Sequence, residues 1–358
     1  MSLFRPHVQK IAGYVPGEQP RETGWIKLNT NENPYPPSPR VREAVLGVVD
    51  GLNVYPDPLA RRFCRLAGEL FGVDEDWILA GNGSDEILTI LMRSFVEPGE
   101  MIAYPYPSYV LYETLAELQG ATANRIPLNA DFSWNPDVAR PIVKDAKLLF
   151  VPNPNSPTGT LWSPEELDQF QPERGLLVLD GAYADFATGS TGAELLQSQT
   201  QSPQTVLTRT LSKSYALAGL RFGFAVAHPD LIAGMRKVKD SYNCDALSIA
   251  AACAALEDQE WLRETNARIL ATRTRLLDRL VSLGFEVAPS EANFLWARHS
   301  ACNHQAVYEG LKAERILVRY MRFSGISGDN SEIYDGLRIS IGIDAQIDRM
   351  LEVLKTLI

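Results

Sequence analysis

The stretch TLSKSYALAGLRFGF, residues 210–224, sets a single lysine, Lys213, among small and apolar residues with no carboxylate beside it. A surface lysine needs no such company, whereas an amine that must lose its proton near neutral pH does. Thr210 and Ser212 precede it and Arg221 follows, two hydroxyls and a guanidinium suited to a phosphate. Three other stretches carry polar groups where apolar runs end. In AGNGSDE, residues 80–86, two glycines turn the chain and Ser84 or Asp85 is a natural helix N-cap. Free backbone amides at such a turn bind anions. VPNPNSPTGT, residues 151–160, is a rigid proline-rich loop in which Asn155 and Ser156 could face a ligand. LVLDGAYADF, residues 177–186, ends an apolar run on Asp180, a carboxylate that is costly to bury without a partner. An N-cap or a partner for a cationic ring nitrogen would each account for it. Taken singly, each stretch has a plain structural use. Taken together they suit a ligand with a phosphate, a basic ring nitrogen and an aldehyde, which is pyridoxal 5′-phosphate (PLP).

These groups must be held by the elements around them. WILAG (77–81), AKLLFVPNP (146–154), GLLVLD (175–180), TVLTRT (205–210) and RFGFAVAH (221–228) read as strands, and SDEILTILMRSF (84–95) as a helix. Strands alternating with helices predict an α/β fold with a mostly parallel sheet covered on both faces. In such sheets ligands gather at the carboxyl ends of the strands, where the polar stretches lie. The last third changes character. Residues 260–285 read as a long amphipathic helix, followed by the strand-like FEVAPS, NFLWARH, ILVRYM and GLRISIG and a final helix of about twelve residues. The expected division is an N-terminal arm over 1–40, a large α/β domain over 41–250 and a smaller α+β domain over 251–358.

The chain has 358 residues, enough for about two domains of ~150 residues. Its net charge of −10 argues against a nucleic-acid or anionic-membrane partner. Cys64, Cys244, Cys253 and Cys302 form no C-x-x-C pair, and His7, His228, His299 and His304 are scattered, so no metal site is expected. The start has no apolar run of signal-peptide length, and no segment reaches ~18 consecutive apolar residues. A reducing, cytoplasmic setting is the expectation.

The motifs LNTNENPYPPSP, YPDP, GNGSDE, YPSYVLY, PNPNSPTGT, TLSKSYALAGLRFG and LRISIG together resemble the fold-type I (aspartate-aminotransferase-like) PLP-dependent aminotransferases over essentially the whole length, and within them the histidinol-phosphate group. The resemblance implies a Schiff base between Lys213 and PLP, with Lys213 then carrying a proton between the donor's Cα and the cofactor. It implies that Asp180 pairs with the pyridine nitrogen, Tyr183 bonds the ring's phenolic oxygen and Tyr109 covers a ring face. Ser84, Asp85, Thr210, Ser212 and Arg221 would hold the phosphate. Tyr55 would reach the phosphate in a neighbouring subunit, which implies a homodimer. Arg338, helped by Arg319 and Tyr14, would bind the anionic end of the amino donor. Donor and 2-oxoglutarate would react in turn, in ping-pong order.

Two positions depart from the family pattern. Ser156 stands where an asparagine usually precedes Pro-Thr-Gly, which leaves either Ser156 or Asn155 to meet the ring. Gly181 replaces the glutamate usual after the strand-end aspartate. Neighbouring activities on the same scaffold are aromatic amino-acid transamination, decarboxylation of threonine phosphate, and non-catalytic PLP binding by a regulator. The last would normally add a DNA-binding domain, for which this chain has no room.

Overall fold

Runs of leucine, valine and isoleucine bounded by glycine, proline or polar residues form the central strands. The structure, a computed structural model, describes residues 1–358 apart from 1–2, 5–7, 10, 12, 14–16, 192, 194–195, 197–203 and 325–332. Strands β1 (Ile26–Lys27), β2 (Ile78–Gly81), β3 (Met101–Tyr106), β4 (Thr122–Pro127), β5 (Leu148–Pro152), β6 (Leu176–Asp180), β7 (Thr205–Thr210) and β8 (Gly223–Ala227) precede β9 (Glu286–Val287), β10 (Phe294–Arg298), β11 (Ile316–Leu317), β12 (Arg319–Ser324) and β13 (Ile333–Ser340). The helices are α1 (Pro39–Val48), α2 (Arg61–Phe71), α3 (Ser84–Phe95), α4 (Leu111–Gln119), α5 (Pro136–Val143), α6 (Pro164–Asp168), α7 (Pro229–Arg236), α8 (Ala246–Leu256), α9 (Gln259–Ser282), α10 (His304–Ala313) and α11 (Asp344–Leu354).

The large sheet has the order β2-β8-β7-β6-β5-β3-β4. Only β8 runs against its neighbours, β2 and β7. Strands β5 and β6 are buried at every residue, as strands with helices on both faces must be. The smaller sheet, β12-β13-β10-β9, is antiparallel and packs on α9 and α11. The expected strands and the helix over 84–95 are all present, and the long helix runs 259–282. Strands β3 and β4 escaped the sequence reading because MIAYPY and TANRIP carry prolines and polar residues. Proline is tolerated there: β3 pairs with β5 only at Ile102 and Ala103, and β4 is an edge strand.

Two features bind the start of the chain to its end. β1 pairs in parallel with β11, and Leu28 joins the small-sheet core. The loop after β6 also bridges the two sheets, since Leu179 packs in the large core while Tyr183 and Phe186 pack in the small one. Residues at the end of β6 therefore sit where the two sheets face each other.

Candidate active site

The carboxyl ends of β6 and β7, the start of α3 and the small sheet enclose a cavity of ≈ 480 Å³. Lys213, Asp180 and Tyr183 line it, with Ser84, Asp85 and Tyr109 on one side. Thr210, Ser212 and Arg221 line it beside them, and Ser156, Arg319 and Arg338 complete the list of expected residues that it gathers.

Asp180 ends β6 and is 4% exposed. Its Oδ2 accepts a hydrogen bond from the Tyr112 hydroxyl at 2.8 Å. Its Oδ1 accepts from the Thr208 hydroxyl and the Ala182 amide, each at 3.2 Å. Burial raises the carboxyl above the ordinary aspartate value, and the bonds from Tyr112 and Thr208 oppose that rise. Lys213 lies in the turn after β7. Its Nζ donates to the Thr30 carbonyl at 2.9 Å and stands 5.9 Å from the centre of the Tyr183 ring. The Tyr183 hydroxyl accepts from Asn31 at 2.9 Å.

The start of α3 corrects one expectation. The N-cap is Gly83, with φ at +84°, and neither Ser84 nor Asp85. A positive φ calls for glycine, which brings no side-chain acceptor for the first amides of the helix. Those amides stay open to an anion. Gly223 of β8 allows the close approach: a Cβ there would lie 2.5 Å from the Ser84 amide nitrogen. Facing the helix start, Arg221 donates to Ser212 Oγ at 3.3 Å, and Thr210 donates to the same oxygen at 3.0 Å. Asp85 joins Arg221 at 3.4 Å and Tyr109 at 3.3 Å.

The opposite wall comes from the small sheet. Arg319 and Arg338 are direct cross-strand partners in β12 and β13. Arg338 donates to Ser156 Oγ at 3.1 Å and to the Asn29 carbonyl at 2.9 Å. Gly13, Gly17 and Gln19 add the N-terminal segment to this wall, which Glu18 ties to Lys312 of α10 at 2.7 Å.

Not every expected residue arrives here. Asn155 is fully buried outside the cavity, its amide donating to Thr158 Oγ1 at 2.9 Å and to the Pro107 carbonyl at 3.2 Å. Ser156 is thus the loop residue that faces the cavity. Tyr55 is 77% exposed and stacks on Tyr242, away from the cavity of its own chain. Tyr14 lies outside the described residues. Gly181 has a steric reason: a Cβ there would stand 2.3 Å from Arg209 Nη1. Arg209 donates to the Gly181 carbonyl at 3.3 Å and to Thr191 Oγ1 at 3.2 Å. The sequence reading missed Tyr112, Thr208 and Asn31. Tyr112 and Asn31 had a signal, since Tyr112 closes the YPSYVLY motif three residues after Tyr109 and Asn31 lies in LNTNENPYPPSP. Thr208 meets Asp180 because the two are register partners across β6 and β7, which spacing does not reveal.

Comparison with known proteins decides the family. The aminotransferase class I and II family matches residues 23–354. The chain belongs to the class I and II aminotransferases. Among similar class I and II aminotransferases, the histidinol-phosphate aminotransferase of Rhodopirellula baltica is 50% identical over 348 residues, covering 96% of this chain and 93% of the relative. The histidinol-phosphate aminotransferase of Syntrophotalea carbinolica is 43% identical over 357 residues, 99% of each chain. The crystal structure of histidinol-phosphate aminotransferase from Sinorhizobium meliloti in complex with pyridoxal-5′-phosphate superposes with a TM-score of 0.87 at 26% identity, covering 100% of this chain and 99% of that one. A Thermus thermophilus aspartate aminotransferase mutant, 19% identical with a TM-score of 0.81, shares the fold. The expected aspartate-aminotransferase-like fold type I is the fold of this class I and II aminotransferase.

The residues of this aminotransferase fit PLP. The helix start, two hydroxyls and a guanidinium form a cup for a phosphate, and the bonded partners of buried Asp180 are all neutral donors. A cationic ring nitrogen would complete that carboxylate. The Lys213 amine faces the same space. Among the described residues, no group of three or more His, Cys, Asp or Glu could hold a metal ion, and no helix is long and apolar enough to cross a membrane.

Proposed function

We propose that this chain is a PLP-dependent histidinol-phosphate aminotransferase of histidine biosynthesis, exchanging an amino group between histidinol phosphate and 2-oxoglutarate. Relatives at 43–50% identity over nearly the whole chain carry that name. The observation that carries the substrate is the Arg319–Arg338 pair, set side by side on the wall of the cavity that holds Lys213 and Asp180. A phosphate monoester bears about −1.5 to −2 charge near pH 7, which two guanidinium forks match better than they match a carboxylate.

When bound, PLP supplies an electrophilic carbon for the donor's amino group and a ring that accepts the electron pair released at the donor's Cα. The protein binds, orients and moves protons. Thr210, Ser212, Arg221 and the first amides of α3 hold the cofactor's phosphate. Asp180 would hold a proton on the ring nitrogen, and Tyr183, fixed by Asn31, would bond the ring oxygen. Ser156 stands beside Arg338, and Tyr109, which lines the cavity, would cover the cofactor's ring. Lys213 Nζ takes the proton from the donor's Cα as a general base. Arg319 and Arg338, with Tyr14, orient the donor by its phosphate.

The reading includes a homodimer in the cytoplasm. Exposed Leu46, Leu52, Val54, Tyr55 and Tyr242 supply apolar surface for a second copy, and Tyr55 on that surface would reach the partner's phosphate cup. All four cysteines are free, as in a reducing compartment. The division into an arm (1–40), a large domain (41–250) and a small domain (251–358) accompanies this reading.

Single-turnover absorbance spectra of the PLP-loaded enzyme with histidinol phosphate, phenylalanine, tyrosine and threonine phosphate test it. Histidinol phosphate should convert the cofactor to its aminated form fastest. Faster conversion by phenylalanine or tyrosine would assign the chain to aromatic transamination, and release of carbon dioxide from threonine phosphate to decarboxylation.

A further inference from the structure

Tyr112 is a fully buried tyrosine with no place on the cavity wall, and the reaction described above does not use it. Its ring stacks on Phe150, with centres 4.8 Å apart and planes 5° from parallel, and meets Tyr109 edge-on at 5.6 Å. A phenylalanine would satisfy that packing. The hydroxyl therefore calls for its own explanation, because burying it costs free energy unless it is bonded.

We propose that Tyr112 is a positioning residue that keeps Asp180 ionised and aimed into the cavity, and so acts on transamination through Asp180. This rests on the cofactor reading above. The bond is made to one oxygen, Oδ2, while Thr208 and Ala182 take Oδ1. The carboxylate is thereby clamped at both ends with its plane set. Bonds to an ionised group are the stronger kind, and they favour the ionised form. Burial and the neighbouring Asp180 charge push the Tyr112 hydroxyl well above its ordinary value, so it stays a donor throughout the working pH range. The other charged or titratable groups around the pair are Asp85 of α3, Arg209 of β7, Lys213, Tyr109 and Tyr183. Among the described residues none of these donates a hydrogen bond to the Asp180 carboxylate, which leaves Tyr112 as the titratable group in direct contact with it.

The test uses Tyr112→Phe, which keeps the ring. In the apoprotein, infrared difference spectra against the matching Asp180→Asn proteins report the pH at which the Asp180 carboxyl protonates. Loss of a bond to a charged group should raise that midpoint by about one to two pH units. In the loaded enzyme kcat should fall about tenfold with KM nearly unchanged. The loss should largely vanish when both proteins are loaded with N-methylated PLP, whose ring charge is fixed and needs no help from Asp180. An unmoved midpoint, or a tenfold loss that persists with the N-methylated cofactor, would overturn the proposal. If Tyr112→Phe does not fold, 3-fluorotyrosine at position 112 is a stronger donor and should lower the midpoint; no movement would overturn it equally. An apoprotein that takes up no PLP would instead sink the cofactor reading, and the role of Tyr112 with it, even with the midpoint shifted.

Discussion

The two walls of the cavity are built differently. The wall on the large sheet is drawn mainly from one stretch: Thr210, Ser212, Lys213 and Arg221 lie within twelve residues and Asp180 ends the adjacent strand, with the start of α3 and Tyr109 added from further along the sheet. Thr210, Ser212 and Arg221 are bonded to one another, and Lys213 reaches far along the chain to the Thr30 carbonyl. The wall on the small sheet is assembled from distant pieces. Arg338 bonds to Asn29 across 309 residues of chain and to Ser156 across 182. Arg319 meets Arg338 only through the register of β12 and β13. A preorganised wall suits chemistry common to many amino donors, whereas a wall of separate pieces can change its ligand one residue at a time. On the proposed reading the first wall carries the reaction and the second the choice of substrate.

The largest expected effect lies on the first wall. Lys213→Ala should still bind PLP but lose transamination of every donor by at least about 10²–10⁴-fold, the usual worth of a positioned general base. Normal turnover in a steady-state assay would break the assignment. On the second wall, Arg338→Ala should lower kcat/KM for all donors by about one to two decades, because a charged hydrogen-bonding partner is worth roughly 1.5–3 kcal/mol. Donor titrations that leave kcat/KM intact would move the substrate's anionic end elsewhere. A smaller effect, on stability, sharpens the point about preorganisation. Gly223→Ala forces a Cβ against backbone at the start of α3, so thermal unfolding of the apoprotein should show a loss of about 1–3 kcal/mol, with weaker PLP binding. The smallest effect belongs to the proposed subunit contact. Tyr55→Phe should weaken PLP binding by about two- to tenfold, the worth of one hydrogen bond, with the dimer intact by sedimentation. Unchanged PLP affinity would remove Tyr55 from the site.

The same contrast explains what could be read from sequence. The large-sheet wall was legible because a lysine, two hydroxyls and an arginine stand within one twelve-residue stretch, and because Asp180 closes an apolar run. The bonds of Tyr112 and Thr208 to Asp180 were hidden, since they depend on how α4 and β7 lie against β6. Ser156 and Asn155 could not be separated by spacing. They differ only in which side chain the loop turns inward, and Asn155 is held out by Pro107 and Thr158. The cap of α3 was misread for a related reason. Ser84 is a good capping residue, but the turn needs a positive φ one position earlier, where glycine sits. Gly181 looked like a lost side chain and is instead the space that Arg209 requires.

The most direct test of the division between the walls is the ratio of kcat/KM for histidinol phosphate to that for phenylalanine, in the wild type and in Arg319→Ala. The wild type should favour histidinol phosphate. Removing one of the two forks should cut that ratio by about one to two decades, through the histidinol phosphate value and with little change for phenylalanine. A wild type that prefers phenylalanine, or an equal loss for both donors, would contradict the account.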